Sequence, residues 1–202
     1  MRVIGTDTAL SVHILQIYPD LPPAMSAVLW ECVAPAVYGV FIPVSNAVTS
    51  ISESYGRNQS AEEMGQFNTR DYPWYAFKAL NTLCVEKNAR PIYGIPVKQY
   101  WQDAESGMAA GMAEVLKRAA AEDPKTAADY ITAYCSQMQE QAFSDAKGLL
   151  NTVMWTMAKN SNTLKHERDP KTHEILDTLT VIPPMEVTLD GSAYHTVPDL
   201  TD

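Results

Sequence analysis

The stretch Ala27–Ser45, AVLWECVAPAVYGVFIPVS, constrains the fold most. Val28, Trp30, Val37, Tyr38, Val40, Phe41 and Ile42 are β-branched or aromatic, the types that suit a pleated, half-buried surface. Ala34-Pro35 interrupts the run, because proline has no N–H to give to a ladder. The pattern predicts a hairpin: a strand over Ala27–Val33, a turn at Ala34–Ala36 and a second strand over Val37–Val44. Pro43 ends that second strand or places it at a sheet edge.

Upstream, Leu10–Tyr18 alternates Leu10, Val12 and Ile14 on one face with His13, Leu15 and Ile17 on the other. Both faces are mostly apolar, which predicts a strand covered on two sides. Pro19-Asp20-Leu21-Pro22-Pro23 is a rigid connection, so the three strands form an antiparallel meander. His13 reads as a histidine held by hydrogen bonds within the sheet. No Ser, Cys or Asp near it in sequence makes it a catalytic base.

Three helices follow. Asp71–Lys87 carries Trp74, Phe77, Leu80 or Asn81, and Cys84 at three- and four-residue steps, with Thr69 or Asp71 as cap. Pro96–Ala121 carries Val97, Trp101, Ala104, Met108, Met112 and Leu116, with Gly107 and Gly111 on the adjoining row. Asp123-Pro124 is a stop and restart, and the third helix runs from Pro124 towards Lys159. Its Gly148 allows a kink or close packing. The expected class is α+β, an antiparallel sheet covered by long helices, in a domain of residues 1–160. Residues 161–202 form an irregular tail, with Thr178–Ile182 and Met185–Leu189 as candidate short strands and Asp190-Gly191 as a turn.

Composition excludes several function classes. The 202-residue chain has a formal net charge of −9, which opposes broad binding to nucleic acid or anionic membrane. No apolar run reaches bilayer-spanning length. Cys32, Cys84 and Cys135 are scattered, and His166, His173 and His195 are too widely spread for a metal motif, so neither a disulfide framework nor a metal is expected. No cofactor motif is present, and no phosphate loop, dinucleotide fingerprint, GxSxG or HExxH. The N-terminus lacks an apolar signal-peptide core, so a reduced, cytoplasmic setting is the expectation.

The order of short motifs says more. Ile4-Gly5-Thr6-Asp7, His13-Ile14-Leu15-Gln16, Tyr18-Pro19-Asp20-Leu21-Pro22-Pro23, Leu29-Trp30, Ala34-Pro35, Val40-Phe41-Ile42-Pro43 and Trp74-Tyr75-Ala76-Phe77-Lys78-Ala79-Leu80-Asn81 run in series. Together they resemble the C-terminal half of the C69 family of dipeptidases, across residues 3–160. That family belongs to the N-terminal nucleophile hydrolases, whose αββα fold stacks two antiparallel sheets between helix layers. The resemblance implies peptide-bond hydrolysis by a cysteine at the mature N-terminus, with its own α-amino group as base. This chain begins Met1-Arg2-Val3, and its first cysteine, Cys32, sits within a strand signal. An internal cysteine has no free α-amino group beside it, so no catalytic residue transfers. The chain is then expected to be the C-terminal portion of a cysteine-type dipeptidase, inactive alone. The alternative is a non-catalytic binding or scaffold module that kept the fold.

The polar stretch Asn46–Asn68 leaves the hairpin directly and is a candidate binding loop through Ser50, Ser52, Ser54, Tyr55, Arg57 and Asn58. In a completed enzyme, Arg57 with Asn46 and Ser45 would hold the dipeptide's carboxylate, and Trp30 would be a pocket wall. The plainer alternatives are a solvated loop charge at Arg57 and a core side chain at Trp30. The expected partners are a dipeptide, if an N-terminal half completes the site, and a second chain or a second copy of this one.

Overall fold

A computed structural model describes residues 9–57, 60, 62–63, 65–160, 169–174 and 182–199. The motif residues Ile4–Asp7, together with Asn58, His166 and Thr178, lie outside the described residues. The chain is α+β. Strands β1 (Val12–Ile17), β2 (Ala27–Cys32) and β3 (Ile42–Ser45) form an antiparallel sheet in the order β1-β2-β3. The helices are α1 (Glu53–Gly56), α2 (Pro73–Val85), α3 (Ile95–Ala119) and α4 (Pro124–Asn160). Short 3-10 turns cover Pro23–Met25 and Ser192–His195, and a π-type turn, Arg90–Gly94, leads into α3.

β2 is the central strand and alternates cleanly. Val28, Trp30 and Cys32 are buried, while Ala27, Leu29 and Glu31 are half-buried on the other face. The buried face belongs to the same core as the apolar stripes of the three long helices: Phe77, Leu80 and Cys84 of α2, Trp101, Met108 and Met112 of α3, and Ile131, Tyr134 and Met138 of α4. Trp74 departs from its expected stripe. It is exposed, and its indole N–H donates to the Leu10 carbonyl at 3.3 Å.

The hairpin is wider than its sequence suggests. Val37–Phe41 is irregular, and β3 starts only at Ile42. Gly39 is why the segment folds inward: a Cβ there would lie 2.6 Å from the Cys32 sulfur and 3.1 Å from the Pro35 carbonyl oxygen. Tyr38 and Val40 enter the core, and the Phe41 N–H donates to Glu105 Oε1 of α3 at 3.0 Å instead of joining a ladder. Pro43 sits within β3 opposite Trp30, which its place on an edge strand permits.

The expectation that β1 is covered on both sides fails within the described residues. Ile14, Leu15 and Ile17 are 53%, 62% and 57% exposed. β1 joins the sheet through β2, and its outer edge pairs with no described strand.

The loop after β3 is tied to α4 rather than free. The Thr49 N–H donates to Thr132 Oγ1 (3.0 Å), the Ser52 N–H to Gln139 Oε1 (2.8 Å) and the Ser54 hydroxyl to Glu140 Oε2 (3.0 Å). Positions 132, 139 and 140 share one helix face, so one side of α4 satisfies the loop's donors. Asp123 caps α4 through the N–H groups of Lys125 and Thr126. α2 starts differently from expectation: neither Thr69 nor Asp71 caps it, and Tyr72 stands at the N-cap.

Residues 182–199 pack across α3 and α4. Met185–Leu189 forms no strand. The Met185 N–H donates to the Ile92 carbonyl (2.7 Å) and the Tyr130 hydroxyl to the Pro198 carbonyl (2.8 Å). Tyr194 is fully buried against Gly107, where a Cβ would lie 2.6 Å from the Tyr194 carbonyl oxygen. Its hydroxyl donates to Asp145 Oδ2 at 2.8 Å, beside the Tyr100 hydroxyl at 2.7 Å. Gln141 Nε2 donates to both oxygens of the same carboxylate.

Asp145→Ala leaves the buried Tyr194 hydroxyl without an acceptor, a loss of about 1–3 kcal/mol, and removes the acceptor of the half-buried Tyr100 hydroxyl as well. Tyr194→Phe removes one hydrogen bond cleanly, about 1 kcal/mol. Urea unfolding is expected to rank the alanine variant well below the phenylalanine variant. Equal stabilities would mean that this carboxylate does not hold the terminal segment.

Candidate functional site

Three of the clefts formed by the described residues stand out. The first, about 410 Å³, lies between β1 and α3 and is lined chiefly by Ile14, Gln16, Trp30, Phe41, Glu105 and Ala109. The second, about 450 Å³, lies beside the Pro23–Met25 turn and includes Met25, Asn46, Ala47 and Ala128. The third, about 500 Å³, lies at the end of α4 and includes Thr152, Trp155, Pro184 and Met185.

The four residues singled out from sequence do not converge on one site, although Ser45 and Asn46 are neighbours at the end of β3. Trp30 lines the first cleft, and its indole N–H donates to Gln16 Oε1 at 2.8 Å. Asn46 lines the second, where Nδ2 donates to the Pro23 carbonyl (2.8 Å) and Oδ1 accepts the Ala27 N–H (3.1 Å). Ser45 is buried in β3, with its hydroxyl oxygen accepting the Ala47 N–H. Arg57 is exposed, lies 3.4 Å from Glu63 Oε1, and stacks over the Tyr72 ring at 5.3 Å. Neither Ser45 nor Arg57 lines any of the three clefts. Ser50, Ser52, Ser54 and Tyr55 line none of them either.

His13 is not held inside the sheet. It is exposed on the open face, directly across from Glu31. Burial raises the Glu31 carboxyl above its ordinary value, and His13 and the Ser11 side chain oppose that rise.

Sequence reasoning missed Glu105. Its position held a signal: it lies four residues after Trp101 and three before Met108, so a carboxylate stands on the flank of the buried stripe of α3. Burial raises its carboxyl above the ordinary value of 4.5, and the Phe41 N–H pulls more weakly the other way. No ion pair among the described residues includes it. It is the one charged side chain among the described residues lining the first cleft.

The cysteines are poor nucleophiles where they stand. All three are buried and free. Burial pushes the Cys32 thiol up to about 11, Cys84 to about 12 and Cys135 to about 11. The Cys32 thiol also donates to the Ala34 carbonyl at 3.3 Å. No described cluster of three or more His, Cys, Asp or Glu side chains has the arrangement to hold a metal ion. No described helix is long and apolar enough to cross a membrane.

No family model matches the chain, and no curated protein matches it.

Two outcomes are expected. Ellman's reagent at pH 8 should label fewer than one thiol per native chain, against all three cysteines in urea; rapid native labelling would overturn the inert assignment. The second concerns Glu105, whose raised value means that the folded state binds a proton more tightly than the unfolded chain. That contribution is complete below pH 4.5 and is lost as pH rises through the folded value. Glu105→Gln keeps an acceptor for Phe41 and removes the loss. Its stability relative to the parent should therefore increase from pH 4 to pH 8 in urea unfolding. A relative stability that falls over that interval would contradict the burial of this charge.

Proposed function

We propose that this chain is the C-terminal portion of a cysteine-type dipeptidase resembling the C69 family. In that role it supplies one sheet and one helix layer to a nucleophile carried elsewhere. The observation that carries the proposal is β1, a strand apolar on both faces, with three large side chains more than half exposed and an outer edge without a described partner. A strand inside a two-sheet sandwich needs cover on both faces, and a strand at a free edge is normally short, charged or bulged. The serial motif matches from His13 to Asn81 point the same way.

In this chemistry the nucleophilic thiolate attacks the dipeptide carbonyl and the amine leaves carrying a proton. Water then cleaves the thioester and restores the thiol. None of the three cysteines here is placed for the first step, since each is buried and its thiolate is disfavoured. The chain's contribution is therefore pocket wall and support. The expected cover for β1 is the remaining part of the enzyme, and the expected setting is cytoplasmic.

The test is reconstitution. The purified chain is mixed with the polypeptide encoded immediately upstream, and release of free amino acids from dipeptides is followed. The chain alone should be inactive and the mixture active, with the activity abolished by removing an N-terminal cysteine of the upstream polypeptide. Robust hydrolysis by the chain alone, lost in Cys32→Ala, would overturn the proposal. A stable complex without hydrolysis would favour the scaffold alternative.

A further inference from the structure

We propose that the cleft between β1 and α3 is a binding site for a small primary amine with an apolar body, its ammonium group paired with the carboxylate of Glu105. The proposal is independent of the peptidase reading, because amine binding is measured directly on this chain.

The walls fix the ligand's body. Ile14, Trp30, Phe41 and Ala109 make the cleft mainly apolar. The polar atom of Trp30 is already used, since its N–H donates to Gln16 Oε1 at 2.8 Å. The indole therefore offers the cleft a ring surface. A volume of about 410 Å³ suits a molecule of modest size and is too small for a folded partner.

Glu105 fixes the ligand's charge. Oε1 accepts the Phe41 N–H at 3.0 Å, which anchors the carboxylate at the cleft wall. The ion pairs among the described residues leave Glu105 without a cation. A carboxylate drawn out of water with one hydrogen bond and no counter-ion is costly, and an ammonium group reduces that cost while its body covers apolar wall. An aromatic ring in the same cleft adds attraction for a cation. A neutral ligand gains only the second effect, and an anion is repelled.

The geometry also separates this site from the edge of β1. The cleft opens on the α3 side of the strand, whereas a pairing strand would take the row of N–H and C=O groups along its rim.

The experiment uses 2-phenylethylamine as probe, with 2-phenylethanol and 3-phenylpropionate as neutral and anionic controls of similar shape. Binding to the chain is measured by calorimetry at neutral pH. The chain's net charge of −9 attracts any cation weakly, so the comparison between variants decides the matter. The amine is expected to bind about tenfold tighter than the alcohol, and the acid least of the three, as expected for one charge-assisted contact. Glu105→Gln should erase the tenfold preference and leave alcohol binding unchanged. Ala109→Phe, which fills the cleft from an exposed helix position, should weaken amine and alcohol alike. Equal amine affinity in the parent and Glu105→Gln would overturn the proposal. So would no amine binding to the parent, or amine binding unaffected by Ala109→Phe.

Discussion

The sheet is tied to the helices through one buried face of its central strand. Val28, Trp30 and Cys32 of β2 are buried in the core they share with three helices, which also pack directly on one another, α4 against both α2 and α3. Burying a side chain of that size contributes about 1.5–3 kcal/mol, so this face anchors the sheet to the helix layer. The constraint propagates outward. Because Cys32 faces inward, the chain after it must pass close to its sulfur, and only glycine at 39 leaves room. Because that segment turns inward, Phe41 loses a strand partner and its N–H finds Glu105. A carboxylate is thereby fixed beside an apolar cleft by a packing requirement several residues away.

The helices were the most legible elements. The stripes over Phe77–Cys84 and Val97–Leu116 lie on the buried faces of α2 and α3, and Asp123-Pro124 marks a boundary that the structure keeps. The meander was legible too, since each strand is apolar and proline-bounded. The second strand's start was not. Val37, Tyr38 and Val40 have the composition of a strand, yet they are buried as an inward loop. Composition reports burial at such positions and says little about whether the backbone is extended.

The candidate site was legible only in part. Trp30 was visible as a large side chain on the central strand, and it does line a cleft. Arg57 was chosen for its chemistry, but a local carboxylate, Glu63, and a ring, Tyr72, lie close enough to take its guanidinium. Asn46 was chosen as the loop's first residue, and it instead ties the Pro23 turn to the start of β2. Glu105 emerges from three segments distant in sequence, which no local pattern encodes. Tertiary proximity made the cleft, and only the anomaly of a charge four residues from a buried tryptophan hinted at it.

The exposed strand has a quantitative consequence. Leu15 and Ile17 on the open face, and Ile14 on the α3 side, are each more than half exposed, so covering any of them recovers about half of its full burial, roughly 1 kcal/mol apiece. Association costs an estimated 4–15 kcal/mol before any affinity appears. The three side chains therefore fall short alone, and a lone contact between two copies through this face would be weak. Adding a ladder along the outer edge of β1 supplies directional hydrogen bonds, each with a net value of about 1 kcal/mol. Covering Leu29 and Val44 on the open face adds further apolar area. A partner that meets the edge and the open face together offsets more of that cost than either contact alone. That combination is what the proposed second sheet of a larger sandwich would supply.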